Sequence, residues 1–193
     1  MKNFLKPSYL FWNDHHKKEW CQRVMNYIDK LELTDATVLS RVDNDIEEIK
    51  KDTRVTSVKL IHFNQEENDY ERMLTLEMWR LIVFANLTYN FNIDYDTMTI
   101  QLGKYDEENN GFYKHHQDEN ILFKNAGRKI SMSTILQNSE QGGKFILDGE
   151  CPDFNENVGS TIAFPSFTLH EVTPVIKGSR YSIVTWVSGP EWA

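Results

Sequence analysis

The chain has 193 residues, a mass of 22.7 kDa and a net charge of −8 at neutral pH. This length is typical of one domain with a full hydrophobic core. The acidic balance argues against a nucleic-acid partner, because phosphate binding needs a concentrated basic face and the sequence has none. The two cysteines, Cys21 and Cys151, are too few for a disulfide framework and show no metal-binding spacing.

The start of the chain does not have the pattern of a signal peptide, because Lys6 and Pro7 interrupt its aromatic residues. No apolar run approaches the roughly 20 residues of a membrane-spanning helix. The low cysteine content suits a reducing compartment. These features predict a cytoplasmic protein without a membrane partner.

Two amphipathic helices are predicted in the N-terminal half. The first runs from about residue 17 to residue 31, with Asn13 or Asp14 as its cap. Its apolar stripe has helical spacing and consists of Trp20, Val24, Ile28 and Leu31. The second helix, about residues 69 to 87, has a wide apolar face and should lie against a sheet. His15 and His16 are interpreted as solvated or capping residues.

Strands are predicted at residues 38 to 42 and 55 to 63, the second with Val58, Leu60 and His62 on one face. The charged run from 43 to 52 is interpreted as a solvated loop or an exposed helix turn. From Phe91 onward the pattern changes to short strands and turns. The strand candidates there are residues 98–102, 112–118, 129–136, 144–147, 160–164, 169–175 and 180–187.

Many short strands at regular spacing favour a sandwich, a barrel or a jelly roll. We therefore predict a mainly β fold with some α-helix, in one domain over residues 1–193. Residues 1–97 would provide helical and strand support, and residues 98–190 would form the β core.

A metal-binding pattern lies within this β region. Alternate residues of a strand share a face, so Asp118 is the partner of His116 rather than of His115. Their separation of about 6.6 Å along a strand lets both side chains converge on one ion. With a third ligand on a distant strand, such as His170, two imidazoles and one carboxylate can hold Fe(II) and leave the opposite positions open.

Arg180 follows His170 by ten residues. If the two strands form a hairpin around the Lys177-Gly178 turn, with a one-residue bulge, Arg180 and Ser182 share the face of His170. A buried guanidinium needs an anion, and Glu171 in the same hairpin points the other way. A dicarboxylate ligand would satisfy Arg180 bidentately. The alternative is a surface arginine beside the turn.

Residues 98 to 190 resemble the Fe(II)- and 2-oxoglutarate-dependent dioxygenases, and among them the prolyl 4-hydroxylase-like group with the bacterial PKHD-type hydroxylases. The matching segments, in chain order, are Ile100–Tyr105, Gly111–Tyr113 with His116-x-Asp118, Arg128–Ser131, Gly142–Phe145, Gly159–Ser166, His170-x-Val172, Arg180-x-Ser182 and Trp186–Pro190. Each segment is weak alone. Their order and family-like intervals, across about half of the chain, make the resemblance specific.

The resemblance implies a double-stranded β-helix with His116, Asp118 and His170 as iron ligands. It also implies that Arg180 binds the distal carboxylate of 2-oxoglutarate, with Ser182 assisting. Tyr105 matches a tyrosine that lines the cosubstrate pocket in this family.

Three more residues match pocket-wall positions near the metal, and packing inside the barrel would explain them equally well: Tyr113, Phe145 and Trp186. The chain departs from the family pattern at Ile135, where some relatives carry a tyrosine that helps to hold the cosubstrate. The hydroxyl of Ser133, which has the same strand parity, is a possible substitute.

The implied reaction is hydroxylation of an aliphatic C–H bond by Fe(II), 2-oxoglutarate and O2, with succinate and CO2 as co-products and ascorbate to re-reduce the iron. A prolyl residue of a protein or peptide is the favoured substrate, and a free amino acid or another small molecule is the alternative. Relatives that demethylate nucleic acids add a second arginine six residues after the first, where this chain has Trp186.

Two further interpretations concern substrate choice and function class. The acidic loop at residues 106–108, near the expected cleft mouth, favours neutral or basic substrates. A jelly-roll binding module, with a structural metal or none, is the alternative from another functional class. Such a module gives no reason to place Arg180 and Ser182 shortly after the distal histidine.

Overall fold

The computed structural model describes residues 7–36, 38–42, 45–49, 52–119, 127–148 and 157–190. Cys151 and four residues of the predicted charged loop (43, 44, 50 and 51) lie outside these ranges. Within them, neither helix combines the length and the apolar character needed to cross a membrane.

Two antiparallel sheets, with strands numbered in chain order, face each other. The larger sheet contains, in spatial order, β1 (Leu10–Trp12), β12 (Thr161–Pro165), β9 (Gly127–Gln137), β15 (Ser179–Gly189), β7 (Asp94–Asp106), β6 (Ser57–His62) and β2 (Thr34–Asp35). The smaller sheet contains β11 (Phe145–Leu147), β13 (His170–Val172), β8 (Phe112–His116) and β5 (Arg54–Val55). Two short ribbons pair β3 (Val38–Val42) with β4 (Asp45–Ile49) and β10 (Gln141–Gly142) with β14 (Val175–Lys177).

Helices α1 (Lys18–Ile28) and α2 (Asp69–Tyr89) cover the face of the larger sheet that points away from the smaller one. The alternation along the long strands creates these two faces: Ile100 and Leu102 pack against the helices, whereas Gln101 and Tyr105 point toward the smaller sheet. The predicted mainly β jelly roll with helical support is therefore confirmed. The division of the chain at residues 97 and 98 stays a prediction.

The beginning of α1 differs from the expectation. Lys17, and not Asn13 or Asp14, is its N-cap residue. The Asp14 N–H instead donates to the Ser160 hydroxyl at 3.1 Å, which ties the preceding turn to the β core. His16 is buried rather than solvated, and its ring stacks on Trp20 at 4.0 Å between centroids.

The structure corrects one loop prediction and confirms one strand prediction. Residues 45–49, expected in a loop, form β4, because they complete a ribbon with β3. The strand predicted at residues 55–63 is β6; on the face shared by Val58, Leu60 and His62, Val58 is buried whereas Leu60 and His62 are exposed. Ile61, on the other face, is buried under the helices.

The predicted hairpin between His170 and Arg180 is also wrong. Pro174 has no N–H to donate to a ladder, and the expected strand 169–175 divides there into β13 and β14. β13 belongs to the smaller sheet and β15 to the larger one. His170 and Arg180 therefore face each other across the space between two sheets and do not share one hairpin face.

Gly159 joins β12 to the N-terminal segment and has φ +90°. A Cβ at this position would lie 1.9 Å from the His16 carbonyl oxygen, so Gly159→Ala should lower the free energy of unfolding by about 2 kcal/mol or more. Gly127→Ala is the matched control, because its nearest neighbour would be the Glu119 Cγ at 4.0 Å. Urea denaturation measures both changes, and equal losses would contradict the interpretation.

Candidate metal centre and cosubstrate cleft

Two imidazoles and one carboxylate meet where β8 ends and β13 begins. His116 and His170 are register partners across these two strands. The His116 Nε2 lies 3.5 Å from Asp118 Oδ1, and the His170 Nε2 lies 3.3 Å from Asp118 Oδ2. Adjacent ligands of an octahedral ion with bonds of about 2.1 Å lie roughly 3 Å apart, so these atoms need only small shifts.

Hydrogen bonds to the main chain orient both rings. The His116 Nδ1 lies 2.7 Å from the Lys114 carbonyl oxygen, and the His170 Nδ1 lies 3.0 Å from the Thr168 carbonyl oxygen. A carbonyl only accepts, so Nδ1–H donates in each case and the neutral ring keeps the lone pair of Nε2 for a metal. This is the usual support for a metal-ligating histidine.

Asp118 is positioned just past the end of β8 and not within a strand. Its N–H and that of Glu119 both donate to the Ser166 carbonyl, at 2.9 and 3.0 Å. The Asp118 Oδ2 is buried and accepts no hydrogen bond from the described residues. A buried carboxylate oxygen without a donor, facing two imidazole nitrogens, fits a divalent cation, and this ligand set is typical of non-haem Fe(II).

The surroundings of His115 agree with the prediction that His116, and not His115, shares a face with Asp118. It lies on the opposite face, its side chain is 46% exposed, and its Nδ1 is 3.4 Å from the Glu171 carboxylate. A second group of potential ligands, His15, His16 and Glu77, lies outside the cleft. There the Glu77 carboxylate already accepts a hydrogen bond from the Arg80 guanidinium at 2.9 Å.

In the metal-free centre, the pKa values of the two histidines and of the aspartate are shifted in different directions or to different extents. Burial alone would lower the pKa of His170, but the charge of Asp118 outweighs it and raises this pKa. Burial lowers the pKa of His116 below its ordinary value. Although burial opposes it, the two imidazoles hold the pKa of Asp118 well below its usual range. The free centre is therefore a carboxylate beside one readily protonated imidazole.

Metal affinity should consequently depend on pH in a defined way. Between the lowered pKa of His116 and the raised pKa of His170, a metal must displace one proton from His170. The apparent affinity for Mn(II) should fall about tenfold per unit decrease in pH in this window and become constant above the pKa of His170. Calorimetric titration across pH measures the slope, and a flat profile in the window would contradict the assignment.

The cleft between the sheets continues from the metal centre to Arg180. This arginine is 2% exposed, and Ser182 on the same face of β15 is 1% exposed, with no described hydrogen-bond partner for its hydroxyl. Tyr105 is the register partner of Arg180 on β7, and its ring centroid lies 5.7 Å from the guanidinium carbon. A buried cation beside a buried hydroxyl suits a carboxylate ligand.

The remaining predicted residues line the same cleft. Tyr113 stacks on His116 at 3.4 Å between ring centroids, and the Phe145 ring centroid lies 5.8 Å from that of His170. Trp186 lies on the cleft face of β15, and its indole nitrogen is buried without a described partner. All nine residues expected from the sequence thus lie in one cleft.

At Ile135, where some relatives carry a tyrosine, the structure brings the hydroxyl of the nearby Ser133 to the cleft instead. Ser133 lines the cleft, whereas Ile135 is buried in an apolar cluster that includes Tyr105. The suggested substitute hydroxyl therefore faces the space in which a cosubstrate would lie. Its contact with the cosubstrate stays a prediction.

Asp106 and Glu107 of the acidic loop at residues 106–108 form polar contacts within the fold. Asp106 accepts a hydrogen bond from the Ser179 hydroxyl and lies 3.3 Å from the Lys104 ammonium. The Glu107 carboxylate accepts from the Gly178 N–H. These bonds fix the turn that precedes Arg180, and the suggested influence of the loop on substrate choice stays a prediction.

Arg54 is a cleft residue that the sequence did not indicate. It lies in β5, and its guanidinium stacks 4.5 Å from the centroid of the Tyr113 ring. Arg128, which the motif comparison included without a role, stacks on Trp186 at 4.0 Å. Only the pairing of β5 with β8 brings Arg54 to the cleft, and no local pattern around residue 54 encodes that pairing.

Residues 100–188 match the sequence profile of the 2OG-Fe(II) oxygenase superfamily. A PKHD-type hydroxylase of Synechococcus sp. (strain CC9605) is 36% identical over 80 residues, which cover 39% of this chain and 36% of that protein. A PKHD-type hydroxylase of Colwellia psychrerythraea is 32% identical over 83 residues, covering 40% and 37%. The chain thus spans little more than a third of the length of these curated relatives.

Solved structures support the same fold over nearly the whole chain. The prolyl-4-hydroxylase of Pseudomonas putida superposes with a TM-score of 0.70 at 16% identity, covering 94% of this chain and 92% of that one. A Trichoplax adhaerens prolyl hydroxylase in complex with a hypoxia-inducible factor peptide fragment gives a TM-score of 0.67 at 17% identity, covering 93% and 83%. The profile, the PKHD-type relatives and the common fold agree: residues 100–188 are similar to the 2OG-Fe(II) oxygenase superfamily, and the chain resembles the PKHD-type, prolyl hydroxylase-like members of that superfamily.

Proposed function

We propose that this chain is an Fe(II)- and 2-oxoglutarate-dependent dioxygenase that hydroxylates an aliphatic C–H bond. One observation carries the proposal: the two-histidine, one-carboxylate centre and the buried Arg180 occupy the same cleft between two sheets. In a binding module with a structural metal, the three metal ligands would have a role, but the buried Arg180 would have none.

Each side chain has a role in this proposal. His116, Asp118 and His170 hold the iron, and Arg180 with Ser182 orients the distal carboxylate of 2-oxoglutarate. When bound, iron with 2-oxoglutarate and O2 supplies the oxidising power for hydroxylation, with succinate and CO2 as co-products.

The cleft walls position the reactants and exclude water. Phe145 and Phe164 pack 5.8 Å apart between ring centroids, beside His170. Tyr105 closes the cosubstrate side next to Arg180. An apolar wall strengthens the electrostatic contacts of the bound carboxylate, because it lowers the local dielectric constant.

The proposed substrate is a prolyl residue of a protein or peptide. The names of the similar proteins support it: several are PKHD-type hydroxylases, and one solved prolyl hydroxylase holds a peptide fragment. A free amino acid or another small molecule is the alternative. Ascorbate as a reductant and a cytoplasmic location remain part of the proposal.

The test combines turnover with product identification. Purified wild-type protein is incubated with Fe(II), 2-oxoglutarate, ascorbate and proline-containing peptides or cell lysate. We expect succinate release and a mass gain of one oxygen atom in a substrate, both lost in Asp118→Ala. Equal succinate release by the two proteins would overturn the assigned iron site, and metal binding without any turnover across the substrate screen would favour the binding module.

A further inference from the structure

Arg54 is a buried cation without a partner among the described residues. Its residue is 8% exposed, its Nε is buried without a hydrogen-bond partner, and no described carboxylate forms an ion pair with it. Its one aromatic contact is the Tyr113 ring, 4.5 Å away. A guanidinium in this position lacks the anion that normally accompanies a buried charge.

The free energy of the contact with Tyr113 can be compared with the cost of burying the Arg54 guanidinium. A cation–π contact contributes about 0.5–2 kcal/mol. Removing an ion from water costs several kcal/mol even after relaxation. The stack with Tyr113 therefore offsets only part of the cost of burying the Arg54 Nε, and a bound anion would supply the remaining stabilisation.

The position of Arg54 connects it to the metal centre. Arg54 and Tyr113 are register partners, and the Tyr113 ring also stacks on the His116 ring at 3.4 Å between centroids. The guanidinium thus lies one aromatic ring away from a metal ligand. Arg54 also lines an adjoining cavity of about 290 Å³, whose other charged lining residues are Lys104 and the carboxylates Asp35 and Asp106. There is space for a ligand beside the guanidinium.

A second arginine adds positive charge at the same place. Arg128 stacks on Trp186, and its Nη1 lies 4.0 Å from Asp118 Oδ1. Two guanidiniums near the metal centre of a chain with a net charge of −8 concentrate positive potential at the cleft. An anionic group entering the cleft would be attracted there.

We infer that Arg54 binds a carboxylate of the primary substrate next to the carbon that is hydroxylated. The inference rests on the proposed function and specifies its substrate class. Two sources offer this chemistry: the free α-carboxylate of an amino acid, and an acidic side chain beside the target residue of a peptide. Arg180 takes the carboxylate of 2-oxoglutarate, so the two arginines serve different ligands.

The experiment uses the 193-residue chain loaded with Mn(II) and saturating 2-oxoglutarate, so that Arg180 is occupied and no turnover occurs. Dissociation constants are measured by calorimetry for two matched probe pairs. The first pair is L-proline and L-prolinamide. The second is a blocked Ala-Pro-Glu tripeptide and its Ala-Pro-Gln counterpart. We expect the carboxylate member of one pair to bind at least tenfold more tightly than its amide, and that pair identifies the source.

Variants then assign the preference to Arg54. Arg54→Gln should abolish the preference for the carboxylate and Arg54→Lys should retain part of it. Arg80→Gln, at an exposed position on α2, should behave like the wild type. The inference is overturned if the wild type shows no preference in either pair, or if Arg54→Gln keeps it. It is also overturned if Arg54→Gln weakens 2-oxoglutarate binding as much as Arg180→Gln does.

The wild-type comparison tests the inference even if Arg54→Gln does not fold. Failure of the proposed function looks different, because wild-type protein would then bind no 2-oxoglutarate in a metal-dependent manner. That result would overturn both proposals. Intact metal-dependent binding without a carboxylate preference would overturn the role of Arg54 alone.

Discussion

His116→Ala is expected to lower the affinity for a divalent metal by about 100-fold or more, whereas His115→Ala should leave it unchanged. Removal of an outer-sphere partner typically costs 10- to 100-fold in metal affinity, and loss of a direct ligand should cost at least the upper value. The two residues are neighbours in the chain, but His116 points to Asp118 at 3.5 Å and His115 points to Glu171 at 3.4 Å. Anaerobic titration with Fe(II), or with Mn(II) in air, measures both affinities.

The His115→Ala control separates ligation from general damage to β8. Its pair with Glu171 is half-exposed, and exposed ion pairs contribute about 0–1 kcal/mol to stability. Both variants should therefore unfold at similar urea concentrations. An equal loss of metal affinity in the two variants would remove the distinction between the faces of β8 on which the site depends.

Strand parity predicted His116 as the partner of Asp118, although the strand does not extend as far as expected. β8 ends at His116, and two N–H groups bonded to the Ser166 carbonyl place Asp118 instead. His116 and Asp118 nevertheless lie side by side, with 3.5 Å between the His116 Nε2 and the Asp118 Oδ1. Alternation also identified the two faces of β6, but it did not show which of these faces the helices cover.

Long-range pairing is the part of the fold that local patterns do not contain. The His170 and Arg180 segments read as one hairpin, but Pro174 and the Gly178 turn carry the chain from one sheet to the other. The two residues still line the same cleft because the sheets face each other. The resemblance to the family predicted correctly that His170 and Arg180 lie at one site, whereas the predicted hairpin gave a wrong reason for it.

The position of Arg54 also depends on long-range strand pairing that local sequence patterns do not contain. Its two-residue strand has no alternation and no motif, and it reaches the cleft only because β5 pairs with β8 in the register that sets Arg54 opposite Tyr113. The helices were easier, since their core positions repeat within one turn. The wide apolar face predicted for α2 is its buried face, and the apolar core positions there include Leu74, Met78, Leu81, Ile82 and Ala85.

Arg180→Ala is expected to weaken 2-oxoglutarate binding by about 2–5 kcal/mol, the cost of truncating one member of a buried charge pair. This corresponds to roughly 30- to 5,000-fold in the dissociation constant. Arg180→Lys keeps the charge but loses the planar, bidentate donor, so its loss should be smaller but still clear. Calorimetry with Mn(II)-loaded protein measures the affinity for 2-oxoglutarate.

Metal affinity is the internal control for Arg180, because the guanidinium does not belong to the ligand set. Arg180→Lys should bind Mn(II) like the wild type while it binds 2-oxoglutarate more weakly, whereas a general collapse of the cleft would weaken both. Arg80→Ala, which removes a half-exposed guanidinium on α2, should change neither affinity. If Arg180→Ala leaves the Michaelis constant for 2-oxoglutarate unchanged, this arginine does not hold the cosubstrate, and the cleft must bind its distal carboxylate through other residues.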